Sequence, residues 1–144
     1  MREETTSLVE EHRKRIVAIV PEACVCLSGS ASVEGLAAND VDLVALVSDV
    51  ADAADRLRTL YRALFEEDWR DDWAAFRDEG PPQVDLVVTR VGTKGDAHHR
   101  LAWQLLAEDA GLLAEYRALK ANGGDYEQRK AAFFERVVAL LHET

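Results

Sequence analysis

The run Ala23-Cys24-Val25-Cys26-Leu27-Ser28-Gly29-Ser30-Ala31-Ser32 is followed, with nine residues between Ser30 and Asp40, by Asp40-Val41-Asp42-Leu43-Val44-Ala45-Leu46-Val47, and the reading of these two stretches decides the fold. The first is short, apolar and partly β-branched until it meets a small-residue turn, which is the pattern of a buried strand running into a loop. The second alternates, with Val41, Leu43 and Ala45 on one face and Asp40, Asp42 and Val44 on the other. Residues 33–38 are expected to make one helical turn between the two strands.

Outward from this pair, Glu3 to Val20 carries Leu8, Val9, Ile16, Val17 and Ile19 among charges, an amphipathic helix that Pro21 stops. Val50 to Phe65 has apolar residues at helical spacing, with Ser48 or Asp49 available as the cap. Glu66 to Gly80 is dense in acids and aromatics. There Trp69, Trp73 and Phe76 follow helical spacing and are expected in the core or on a dimer surface, not as a platform for a base. The acids Asp68, Asp71 and Asp72 are expected on a solvated face. Gln83 to Arg90 reads as a third strand, and residues 97–121 and 125–142 as two helices parted by Asn122-Gly123-Gly124. This order predicts an α/β fold, a small three-stranded mixed sheet flanked by helices with a helical C-terminal part. With no repeat and no long linker, residues 1–144 are expected to form a single domain.

Composition excludes several classes. Lys plus Arg total 17 against 27 Asp plus Glu, a formal charge of −10. Such acidity argues against DNA or RNA as the main ligand, because neutralising phosphates needs a clustered basic surface. It leaves open a small nucleotide held through metal ions. Apolar runs such as Val84 with Leu86 to Val88 are too short to span a bilayer, and the charged first 20 residues predict no signal peptide. Cys24 and Cys26, the two cysteines, are expected to be reduced core thiols, which predicts a cytoplasmic setting.

The chemistry lies in three carboxylates. Asp40 and Asp42 share a strand face because the side-chain period is two, and Asp85 in Val84-Asp85-Leu86 can join them from a neighbouring strand. Three acids on one sheet face repel one another and are costly to bury. A divalent cation offsets that cost, and Mg²⁺ takes oxygen ligands of this kind. Two such ions would bridge a nucleotide's phosphates in phosphoryl transfer. Gly29 allows the backbone close to a phosphate, with the amides and hydroxyl at Ser30 as donors.

The order Leu27-Ser28-Gly29-Ser30, then Asp40-Val41-Asp42-Leu43, then Val84-Asp85-Leu86 resembles the nucleotidyltransferase superfamily of the DNA-polymerase-β type. That resemblance implies a minimal nucleotidyltransferase fold. It also implies that Asp40, Asp42 and Asp85 are the catalytic, metal-holding acids, the third assisting metal binding or deprotonating the acceptor hydroxyl. Across most of the chain, Gly29-Ser30-Ala31-Ser32-Val33-Glu34-Gly35-Leu36-Ala37-Ala38 is similar to the corresponding segment of the GrpB-like family. So are Leu101, the run Glu115-Tyr116-Arg117-Ala118-Leu119-Lys120, and Asp125-Tyr126 with Lys130 and Phe133. The family's usual Lys-Pro before a single Asp is replaced here by Asn39-Asp40-Val41-Asp42, and its third-strand histidines by Gln83 and Asp85. Both changes move this chain toward the catalytic pattern.

The expected function is therefore Mg²⁺-dependent transfer of a nucleoside monophosphate, AMP from ATP in its simplest form, to a hydroxyl of a small molecule or protein. Gly29, Ser30, Ser32, Lys120 and Lys130 are the expected nucleotide contacts. Lys120 and Lys130 also read as a solvated helix face, Glu127 pairing with Lys130. His98-His99 are expected at a helix start, since helical neighbours point about 100° apart and seldom share a metal, with contact of one of them to a phosphate left open. The site is expected to be open, or completed by a second subunit of a homodimer through the 69–76 stretch. A non-catalytic nucleotide- or protein-binding module of the same fold is the alternative reading.

Overall fold

The alternation in residues 41–46 organises the molecule around five strands: β1 (Cys24–Ser28), β2 (Val41–Leu46), β3 (Arg62–Leu64), β4 (Trp73–Asp78) and β5 (Val84–Thr89). They form one mixed sheet of order β1-β2-β5-β4-β3 in a computed structural model that describes residues 3–36, 40–121 and 124–142. β2 is antiparallel to β1 and parallel to β5, and β4 is antiparallel to both of its neighbours.

Five strands replace the three expected. The helix starting at Val50 is α2 (Val50–Leu57), which follows α1 (Glu3–Ile19) and stops well short of Phe65, leaving residues 62–64 to pair as the edge strand β3. Trp73 and Phe76 belong to β4, so their spacing of three places them on opposite sheet faces, not on one helix stripe. The Asp49 carboxylate does cap α2, accepting from Asp52 N at 3.1 Å.

One sheet face is filled. Val25 on β1, Val41, Leu43 and Ala45 on β2, Val84, Leu86 and Val88 on β5, and Ala74 and Phe76 on β4 are all buried there. α1 contributes Val9 and Ile16, and α2 contributes Val50, Ala53, Ala54 and Leu57. His12 of α1 is buried with them, its Nδ1 hydrogen-bonded to the Tyr61 hydroxyl at 2.6 Å, which satisfies both polar groups.

The helix expected over 97–121 is divided. A short α3 (Lys94–Asp96) runs into a π-turn at Ala97–Leu101 and then α4 (Ala102–Glu108). Asp109 breaks the run, its carboxylate accepting from Gly111 N and Leu112 N at the start of α5 (Ala110–Ala121). α6 (Tyr126–Leu141) closes the chain. Ala102, Leu106, Tyr116, Phe133, Phe134 and Val137 form a second apolar cluster in this helical layer, over the other sheet face. No described helix is long and apolar enough to cross a membrane.

Two local expectations change as well. A 3-10 turn forms over Ser30–Ser32 and a second turn follows within the expected 33–38 stretch, closed by Leu36 N–H donating to the Val33 carbonyl at 3.2 Å, while Ala37 and Ala38 lie outside the described residues, as do Asn122 and Gly123. Cys24 is exposed and Cys26 half-buried, because β1 is an edge strand whose thiols lie on the incompletely covered face.

Candidate functional site

Register assembles the site. Ser28 pairs with Asp42, Asp42 with Asp85, Asp85 with Arg77, and Arg77 with Arg62, so one polar row crosses all five strands on the face opposite the main core. Asp42 and Asp85, read from the sequence as neighbours on adjoining strands, are direct partners. At the end of β1 the chain turns through Gly29, with φ 65 and ψ −166. Only glycine adopts that backbone readily, and a methyl group there would sit on Asp42 Oδ2. The absence of a side chain at Gly29 is what lets the turn lie against the carboxylate.

Asp42 is electrostatically out of balance. Burial, then Asp85, then Asp40, push its carboxyl up to about 6, while Lys130 and Arg77 oppose the shift. Among the described residues no hydrogen-bond donor reaches it. Asp85 is better satisfied, because Arg77 grips both its oxygens, at 2.7 and 3.2 Å. Gln83 adds a long contact at 3.5 Å.

A cavity of about 410 Å³ opens over this row. Its floor is the sheet face, and its roof comes from the π-turn, α4 and α6: His98, His99, Trp103, Glu127, Lys130 and Phe134. The π-turn is tied to the sheet by a hydrogen bond from Ser28 Oγ to the His99 carbonyl. His99 Nε2 accepts from Trp73 Nε1 at 3.3 Å. Burial, then His98 and Arg70, bring His99 down to about 4, so it is neutral near pH 7 with its proton on Nδ1. π-turns of this kind recur at functional sites, and here the widened turn puts both histidines on the cavity wall.

The structure thus brings Gly29, Asp42, Asp85 and Lys130 together at one cavity. Asp40 stays exposed just before β2, close enough to act on Asp42 through its charge. Among the described residues no group of three or more His, Cys, Asp or Glu side chains is placed to share a metal ion. Ser32 spends its hydroxyl on the Gly29 carbonyl at 2.6 Å, and Ser28, not Ser30 or Ser32, lines the cavity. Lys120 is exposed and lies over the Tyr116 ring at 5.5 Å, away from the cavity lining.

Sequence reasoning missed Arg77 and Trp73, and it left one of the two histidines open as a phosphate contact without placing both on the cavity wall. A basic residue directly after the apolar run Trp73–Phe76 was the available signal for Arg77, once 73–78 is taken as a strand.

A mixed five-stranded sheet with a glycine turn, paired acids on parallel strands and a helical layer over them defines a mixed α/β protein. The family model described as GrpB protein matches residues 2–139, and the chain belongs to the GrpB family. In solved structures the chain is similar to the conserved protein GrpB from Enterococcus faecalis, at 20% identity and a TM-score of 0.73, over 96% of this chain and 92% of that one. It is also similar to a cytoplasmic RNA terminal U-transferase, at 19% identity and a TM-score of 0.53, over 81% of this chain but only 36% of that one. At these identities the likeness is one of fold. No curated protein matches the chain in sequence.

Proposed function

We propose that this GrpB-family protein binds a nucleoside triphosphate with Mg²⁺ and transfers the nucleoside monophosphate, AMP from ATP in the simplest case, to a hydroxyl of a small-molecule or protein acceptor. The observation that carries the reading is Asp42. It is a carboxylate that no donor among the described residues reaches, beside Asp85 and against the Gly29 backbone, at the floor of a cavity that also holds Lys130. A carboxylate held at about 6 by burial and by other acids gains most from a bound cation.

The donor chemistry fits Mg²⁺. Asp42 and Asp40 would hold it, and Asp85 would join them on release from Arg77. When bound, the metal supplies charge neutralisation at the phosphates. The remaining roles belong to the chain. Gly29 lets backbone amides approach the phosphates, and Lys130 adds a positive charge from α6. In the transfer the bond between acceptor oxygen and α-phosphorus forms as the α–β bridging bond breaks. Pyrophosphate leaves, and the acceptor's proton passes to a carboxylate, for which Asp85 is the candidate by its resemblance to the third acid of the nucleotidyltransferase superfamily.

A second reading, a non-catalytic nucleotide-binding module, draws on the Arg77–Asp85 pair, since an acid already held by a guanidinium is poorly placed as ligand or base. One experiment addresses both. Melting temperature is measured with ATP, GTP, CTP and UTP, each with and without Mg²⁺, on wild type and Asp42→Asn, and pyrophosphate release is followed with the nucleotide that binds. The transferase reading expects stabilisation that needs both Mg²⁺ and Asp42, together with pyrophosphate release in the presence of an acceptor. Binding without release across an acceptor screen supports the module. No stabilisation by any nucleotide of a folded protein sinks both.

A further inference from the structure

The cavity has two chemically different ends. One is the row of Ser28, Asp42 and Asp85 with Lys130 above it. Two register rows further along the sheet, Thr89 pairs with Trp73, four residues from Asp85, which is about 13 Å at strand rise. The floor between is Val44, Val87 and Ala75, Trp73 stands at the far end, and Trp103 and Phe134 also line the cavity. A ligand that fills both ends has an anionic or metal-bound head and a flat apolar body.

Phe65 stands at the mouth of that second end and pays twice for its position. It has φ 54 and ψ 41, left-handed backbone that glycine or asparagine normally occupies, and it is the one such non-glycine among the described residues. Its ring is also 55% exposed and stacks on no described ring. Strained backbone of this kind persists where function holds it, and a large apolar side chain in water gains by being covered. A ligand ring in the cavity would cover it.

We propose that Phe65 is a ligand-contacting residue that closes the aromatic end of the cavity over a nucleobase, with the nucleotide's phosphates reaching the Asp42–Asp85 row. This deepens the nucleotide reading above and rests on it. Planar rings suit a wall of Phe65, Trp73, Trp103 and Phe134 better than a branched aliphatic group does, because aromatic faces stack on bases of any identity. The neutral His99, its Nε2 taken by Trp73, offers Nδ1–H as one polar donor in the surroundings of the ring.

The test uses the full chain and separates the two ends. Adenosine, guanosine, cytidine and uridine, which carry no phosphate, are titrated without metal by calorimetry. Inorganic tripolyphosphate with Mg²⁺ is titrated separately. The expected result is that at least one nucleoside binds wild type, and that Phe65→Ala weakens it about tenfold or more. Phe65→Gly should bind as weakly as Phe65→Ala yet melt no lower than wild type, since glycine relieves the backbone strain. If tripolyphosphate binds and no nucleoside does, the inference fails while the metal–phosphate reading stands. The reverse pattern leaves the aromatic end standing and overturns the phosphate end; silence from both probes overturns both. Unchanged nucleoside affinity in Phe65→Ala, or a Phe65→Gly protein that melts well below wild type, makes Phe65 a structural residue and overturns the inference.

Discussion

The two faces of the sheet are built from the same strands and behave oppositely. On the face toward α1 and α2, Val41, Leu43, Val84 and Leu86 are closed off from water by two helices. One residue further along each strand, the other face carries Asp42 and Asp85 below a cavity, with Ser28 and Arg77 completing the row. A period of two is enough to separate them. The first face supplies stability by burying apolar surface. On the second, charge repulsion and open volume work against stability, which is the arrangement expected of a surface kept for a ligand.

Truncation in the filled face should have the largest effect. Leu57 is fully buried on α2, and Leu57→Ala should lower unfolding free energy by about 2–5 kcal/mol. Because Leu57 is remote from the cavity lining, nucleotide-induced stabilisation, compared with that of wild type by denaturant titration, should be retained in full. A comparable loss of ligand response would mean that the two faces are not separable in this way.

On the second face the sign reverses. Asp42 titrates near 6 in the folded protein against an ordinary 3.8. Between those values the folded state keeps a proton that the unfolded chain has released, so stability falls as pH rises through the interval. Without divalent cations, Asp42→Asn should therefore stabilise the protein at neutral pH by up to about 3 kcal/mol. The gain should fade toward pH 4. Melting temperatures of both proteins from pH 3.5 to 7.5 in a chelator measure it, and a variant less stable than wild type at pH 7 would remove the claim that Asp42 is a cost to the fold.

What the sequence made legible follows the same division. β1, β2 and β5 announced themselves through runs such as Cys24–Leu27 and through the alternation at 41–46, and that alternation also placed Asp42 away from the core. Asp49 was readable as a cap because side-chain acceptors before an apolar periodic stretch satisfy free helix amides. β3 is three residues long and carries no usable period. β4 was hidden because Trp69, Trp73 and Phe76 imitate a helix stripe, although Phe76 meets Tyr61 and Trp69 in one core while Trp73 faces the cavity. Missing β4 meant missing Arg77, whose partnership with Asp85 exists only through the β4–β5 register. The π-turn at 97–101 has no sequence period of its own, so His98 and His99 were assigned the divergence of an ordinary helix.

Arg77 provides the finest test of how the second face is balanced. Its pair with Asp85 is part-buried, with each side chain 28% exposed, so breaking it should change stability by about 1 kcal/mol. Its electrostatic effect reaches further, because the guanidinium is one of two cations, with Lys130, that favour an ionised Asp42. In Arg77→Gln the Asp85 charge loses its guanidinium and bears more heavily on its strand neighbour. The midpoint of the Asp42 titration should then rise above that of wild type, as followed by the pH dependence of its carboxyl-carbon NMR shift. An unchanged midpoint would mean that burial alone sets the Asp42 carboxyl and that Arg77 serves Asp85 only. A rise would establish the row from Ser28 to Arg77 as one electrostatic unit, in which any cation that binds Asp42 competes with the grip of Arg77 on Asp85.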